Sequence, residues 1–134
     1  MPTLTMRRRD SSRATILLVD DVAPWWAEVR RILGSQPEWE IVAEASDGLG
    51  ALEKALEFQP DIVVLDIGLP GLNGIEVAKE IRRRSPATNI VFLTQEGDSD
   101  IMHEALSVGQ ATYIMKANAN RDLRDSIAAA LRQD

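Results

Sequence analysis

The sequence of 134 residues contains no cysteine and a single histidine, His103. Without thiols, disulfides, thiolate metal centres, cysteine nucleophiles and cysteine redox chemistry are all excluded, and a cytoplasmic location fits. One imidazole gives no basis for a multi-histidine zinc or iron site. A positive charge balance is lacking too: 15 Lys and Arg face 21 Asp and Glu, a formal charge of −6. That disfavours direct binding to nucleic acid or to an anionic membrane. No apolar run approaches the about 20 residues of a membrane span, and the N-terminus has no apolar core of the kind a secretory signal needs. No glycine-rich run ends in Gly-Lys-Ser/Thr and no dinucleotide-binding glycine pattern follows the first apolar run, so ATP and NAD use have no support.

What is present reads as one domain, long enough to bury roughly two thirds of its unfolded surface without staples. Residues 1–13 are polar and basic, with Arg7, Arg8, Arg9 and Arg13 and no apolar period. They read as a flexible basic extension ahead of a domain spanning 14–133. Five short apolar runs follow, at Ala14–Val19, Trp39–Ala45, 61–66, 89–93 and Ala111–Met115. Helical spacing fills the intervals. The expected apolar faces are Trp26, Val29, Ile32 and Leu33; Leu49, Leu52, Ala55 and Leu56; Ile75, Val77, Ala78 and Ile81; Ile101, Met102, Ala105, Leu106 and Val108; and Leu123, Ile127, Ala128 and Leu131.

Pro24 suits a first helical turn, where its missing N–H costs nothing. Asp47 and Asn118 are candidate helix caps. Arg82, Arg83 and Arg84 read as a solvated cap on a helix C-terminus, where their charge favours the dipole. Trp25 is expected to lie more exposed than Trp26, with the pair acting as core and local cover. His103 is expected at the surface. Alternating strands and helices with crossover-length connections predict an α/β doubly wound five-stranded parallel sheet, order 2-1-3-4-5.

The chemistry lies in where the polar groups fall. Asp20-Asp21, Asp66, Thr94 and Lys116 each follow a separate apolar run, and parallel strands bring all of these ends to one edge, where open α/β sheets bind ligands. The central run ends at Asp66 and continues into Ile67-Gly68-Leu69-Pro70-Gly71-Leu72-Asn73-Gly74, a loop built for tight turning. Two carboxylates about 4 Å apart repel by roughly 4 kcal/mol at an effective dielectric near 20. Asp20, Asp21 and Asp66 therefore call for compensation, which a divalent cation and the Lys116 ammonium would supply. Oxygen ligands alone suit Mg²⁺ better than zinc. With a Thr94 hydroxyl for an anion's oxygen, these parts fit phosphoryl transfer, in which a carboxylate attacks in line while cations neutralise the transferring group. Asp66 stands alone on the central strand and is the candidate acceptor; the adjacent Asp20 and Asp21 are better placed to hold metal.

The motifs Ile16-Leu17-Leu18-Val19-Asp20-Asp21, Glu44-Ala45-Ser46-Asp47-Gly48, the stretch from Asp61 to Gly74, Phe92-Leu93-Thr94 and Tyr113-Ile114-Met115-Lys116 resemble, in this order, a response regulator receiver domain of two-component systems, of the LuxR (NarL/FixJ) type. The resemblance covers residues 14 to 133 and implies a flavodoxin-like, receiver-like fold. It implies that Asp66 accepts phosphate from a sensor histidine kinase or phosphotransfer protein. It also implies that Asp20, Asp21, Asp66 and the Gly68 carbonyl hold Mg²⁺, that Thr94 and Lys116 are the switch hydroxyl and the site lysine, and that the Tyr113 ring follows the hydroxyl on activation. The resemblance further implies that activation acts through the surface of the fourth helix, fifth strand and fifth helix, by homodimerisation or by control of an output domain, with regulation of transcription as the expected output. Departures from the pattern are Gln95, Gln110, Thr112 and Ala117, the last where many receivers carry proline.

A receiver of this kind is a switch that gains and slowly loses a phosphoryl group, and not a turnover enzyme. Two other readings of the same fold are a phosphorylation-independent interaction module and a Mg²⁺-dependent hydrolase with a phosphoaspartate intermediate. The output is open between a stand-alone receiver and the front part of a regulator with a C-terminal DNA-binding domain.

Overall fold

The computed structural model describes residues 13–21, 23–69, 73–95 and 98–132. The expected basic extension before Arg13 and the loop residues Pro70 and Gly71 lie outside them. The elements are β1 (Ala14–Val19), α1 (Ala23–Leu33), β2 (Trp39–Ala45), α2 (Gly48–Phe58), β3 (Ile62–Leu65), α3 (Gly74–Arg84), β4 (Asn89–Thr94), α4 (Ser99–Leu106), β5 (Ala111–Met115), a 3₁₀ turn (Lys116–Asn118) and α5 (Ala119–Leu131). The strands form one parallel sheet in the order β2-β1-β3-β4-β5, as the alternation predicts.

Every residue of β3 and β4 is buried, because helices cover both faces of the sheet there. The edge strand β2 is mostly half-buried. Period-two alternation sorts the side chains into two cores. Leu17, Val19, Val63, Leu65, Ile90 and Phe92 pack with α2, α3 and α4, through Ala51, Ala55, Ile75, Ala78, Ile81 and Ala105. Ile16, Leu18, Val64, Val91, Leu93 and Ile114 face α1 and α5, through Val29, Ile32, Leu33, Leu123, Ile127 and Ala130.

Five local expectations are corrected. Leu49 and Leu56 are 68% and 44% exposed, because α2 turns its small residues Gly48, Ala51 and Ala55 to the sheet and leaves the leucines to one side. Leu106 is likewise 44% exposed at the end of α4. Asn118 precedes α5 but makes no side-chain cap; the 3₁₀ turn supplies a backbone bond instead, from the Ala119 N–H to the Lys116 carbonyl. In the last helix Ala130 takes the buried place, with Ala128 and Leu131 half-buried. The solvated arginine cap applies only to Arg83 and Arg84, which pair with Glu80. Arg82 instead crosses to the carbonyls of Pro86 and Thr88 and to Gln110 Oε1.

Arg82 belongs to a polar network along the N-terminal edge of the sheet. Asp61 Oδ2 accepts from the Thr15 N–H at 2.8 Å and from its hydroxyl at 3.2 Å. Thr88 Oγ1 donates to the Pro60 carbonyl at 2.7 Å and lies 2.7 Å from Ser85 Oγ. Gln110 Nε2 donates to Asn89 Oδ1 at 3.1 Å. His103 is exposed, and Asp47 caps α2 by accepting from the Gly50 N–H at 2.8 Å, both as expected.

Candidate phosphoacceptor site

At the opposite edge the strands end together. The Asp66 N–H donates to the Val19 carbonyl at 3.0 Å, and the Asp20 N–H to the Ala45 carbonyl at 3.1 Å, so the ladder itself sets the first two carboxylates side by side. The loop after β3 is held by α3. Asn73 caps that helix through Oδ1 and the Glu76 N–H, and the Gly74 N–H donates to the Ile67 carbonyl at 2.7 Å. A Cβ on Gly74 would stand 2.3 Å from the Asp66 carbonyl oxygen and 2.6 Å from Ile67 Cα. Only glycine permits the first turn of α3 to approach the backbone behind Asp66 this closely.

Asp20, Asp21 and Asp66 each offer a carboxylate oxygen, all within 4.8 Å of one another. Asp20 and Asp66 are 5% and 7% exposed, and Asp21 is open to solvent. Lys116 Nζ lies 2.9 Å from Asp20 Oδ2 and 3.6 Å from Asp66 Oδ2. Burial pushes the Asp66 carboxyl above the usual carboxylate range. The Gly68 N–H, 3.1 Å from Oδ1, and the Lys116 ammonium pull it back, while Asp20 and Asp21 push it further up. Among the described residues, three carboxylates against one ammonium leave a surplus of negative charge in a partly desolvated place. The donor set is hard oxygen, so the site suits a divalent cation.

Thr94 ends β4 and is 1% exposed. In the β4–β5 register it lies opposite Met115, and Phe92 lies opposite Tyr113. Residues two apart on a strand share a face, so Thr94 and Tyr113 lie on the same side of the sheet. Tyr113 is half-buried against the core on that side. The sheet therefore brings the strand ends that carry Asp20, Asp21, Asp66, Thr94 and Lys116 to one edge, with Tyr113 on β5 just before it.

Two residues next to the site carry no chemical signal in the sequence. The Trp26 indole donates to the Asp20 carbonyl at 2.7 Å. Trp25, expected to be the more exposed, is half-buried with its ring centroid 5.3 Å from Lys116 Nζ. Helical spacing marks both only as apolar cover.

The response regulator receiver domain family matches residues 16–128. The chain is 41% identical over 110 residues to the protein-glutamate methylesterase/protein-glutamine glutaminase of Thermotoga maritima, covering 81% of this chain and 32% of that protein. It is 32% identical over 117 residues to the nitrate/nitrite response regulator protein NarL of Escherichia coli, covering 87% of this chain and 54% of that one. The chain thus spans between one third and about half of these relatives. Among solved structures, a LuxR-family two-component response regulator from Aurantimonas sp. SI85-9A1 superposes with a TM-score of 0.84 at 36% identity, covering 90% of this chain and 86% of that one. Among the described residues no helix is long and apolar enough to cross a membrane. With its sheet order, its acidic cluster and this family match, the chain belongs to the response regulator receiver domains, the phosphoacceptor domains of two-component systems.

Proposed function

We propose that Asp66 is the phosphoacceptor and that the donor is the phosphohistidine of a sensor histidine kinase or phosphotransfer protein. The observation that carries this reading is the buried Asp66 carboxylate, grouped with Asp20 and Asp21 and faced by Lys116. An Asp66 oxygen attacks phosphorus, the P–N bond of the phosphoramidate breaks, and its electron pair stays on the imidazole nitrogen, which takes up a proton. The product is an acyl phosphate. Asp20, Asp21, Asp66 and the Gly68 carbonyl would hold Mg²⁺, which when bound neutralises charge on the phosphoryl oxygens. Lys116 and the Thr94 hydroxyl receive the remaining oxygens through charge-assisted hydrogen bonds.

The new charge then biases a two-state surface. Thr94 moves toward the phosphoryl group and the Tyr113 ring, on the same face of the sheet, fills the space behind it. Shifting such an equilibrium from 1:99 to 99:1 takes about 5.5 kcal/mol of differential stabilisation, within reach of two or three such bonds at roughly 1.5–3 kcal/mol each. The surface of α4, β5 and α5 carries the change to a second copy or to an output domain. Relatives named as transcriptional regulatory proteins support control of transcription as that output. Residues 14–133 form the receiver and 1–13 a basic extension. The domain acts as a switch and not as a turnover enzyme.

Intact mass after incubation with acetyl phosphate, with Mg²⁺ or with EDTA, tests the assignment. One phosphoryl adduct is expected with Mg²⁺, none with EDTA and none in Asp66→Asn. Labelling that persists in Asp66→Asn assigns the acceptor elsewhere. No labelling at all favours an interaction module that works without phosphorylation.

A further inference from the structure

Lys116 is a point charge on a flexible four-carbon stem, yet its side chain is only 11% exposed and its ammonium is held at two carboxylates. Beside it, Trp25, Gln95, Met115 and Ala117 border an open cavity of about 390 Å³. The lysine therefore has room to swing away from the carboxylates, and a group packed against its ammonium adds to the two ion pairs that oppose that motion. The Trp25 ring, 5.3 Å from Nζ, is the group in position to do so.

The indole N–H of Trp25 strengthens the case. Among the described residues it is buried with no acceptor, whereas the neighbouring Trp26 indole donates to the Asp20 carbonyl. A buried donor without a partner is costly, and a phenylalanine in the same place would avoid that cost. With its N–H unused, what tryptophan adds over phenylalanine is breadth and the strongest ring quadrupole toward a cation.

We propose that Trp25 is a positioning residue for Lys116: its ring wedges the ammonium against Asp20 and Asp66 and shields it from water, so that the cation is in place when phosphoryl reaches Asp66. The role in transfer rests on the assignment of Asp66 as acceptor; the shielding does not.

The chain has three lysines, Lys54, Lys79 and Lys116, so amine acetylation followed by peptide mass reads Lys116 against two internal references. Trp25→Phe keeps a ring, and Trp25→Met keeps an apolar side chain without one; Trp25→Leu replaces the latter if it melts below the assay temperature. Reactivity of Lys116 relative to the other two is expected to rise about three- to tenfold in Trp25→Met and by a smaller factor, up to about twofold, in Trp25→Phe, whose ring is narrower and has the weaker quadrupole. Phosphoryl labelling by acetyl phosphate with Mg²⁺ is expected to slow by a similar factor in Trp25→Met and to be spared in Trp25→Phe. Unchanged Lys116 reactivity in Trp25→Met, or equal effects of the two substitutions, would overturn the proposal. If the unsubstituted protein takes no label, the acceptor assignment fails, and the amine reactivities still decide whether the ring shields the lysine.

Discussion

Thr15, Asp61, Thr88, Asn89 and Gln110 gather at the N-terminal edge of the sheet much as Asp20, Asp66, Thr94 and Lys116 gather at its C-terminal edge, and the two groups are matched very differently. At the first edge donors meet acceptors, the buried Arg82 Nε–H excepted. Asp61 takes both the N–H and the hydroxyl of Thr15, Thr88 donates to the Pro60 carbonyl, and Gln110 joins Asn89 to Arg82. At the second edge three carboxylates cluster and two of them, Asp20 and Asp66, meet one lysine, while Asp66 is pushed above its ordinary range chiefly by burial. A satisfied edge stabilises the fold by itself. An edge with surplus charge does so only when a cation or a transferred group completes it, and that incompleteness is what makes it a switch.

The largest effect on the charge-crowded edge is expected from Gly74→Ala. The added Cβ would collide with backbone, which cannot give way as a flexible side chain can. Overpacking of this kind costs about 1–3 kcal/mol, occasionally more. Urea unfolding should show that loss, and labelling of Asp66 should slow because the loop behind it is displaced. If stability fell and labelling did not, the close approach would serve the fold alone.

Thr88→Val probes the other edge. Thr88 is 1% exposed, and its loss leaves the Pro60 carbonyl without its side-chain donor and Ser85 with Gln59 as its remaining side-chain partner. A cost of about 1–3 kcal/mol is expected from the buried groups left unpaired. The labelling rate should be unchanged. A slowed rate would break the separation between the edges.

Much of this division is legible in the sequence. Parallel topology turns four separate strand ends into one place, so Asp20, Asp21, Asp66, Thr94 and Lys116 are found without knowing any distance between them. The fully buried strands β3 and β4 read directly as unbroken apolar runs. What stayed hidden depends on contacts between distant segments. Helical spacing assigns Trp25 and Trp26 to a covered face but cannot say that the first turn of α1 reaches Lys116 and the Asp20 carbonyl. It reads Leu49 and Leu56 as buried because it weighs size, whereas α2 seats its alanines on the sheet. It reads Arg82 as a solvated cap because Gln110 is 28 residues away in the chain and because helical spacing does not show that the turn after α3 brings the Thr88 carbonyl back to the guanidinium. Gly74 stands out only as a loop glycine; the backbone it must clear is visible only in three dimensions.

The most direct test of the unbalanced edge is thermal melting of the protein and of Asp66→Asn in EDTA across acidic to mildly alkaline pH. A carboxyl raised in the folded state binds its proton more tightly there than in the unfolded chain. Its ionised form therefore costs stability above the folded value, and the cost disappears as pH falls through that value toward the ordinary 3.8. The account predicts that Asp66→Asn melts higher than the unsubstituted protein at neutral pH and that the gap closes on acidification. An Asp66→Asn protein that melts lower at neutral pH, or a gap that does not change with pH, would contradict it.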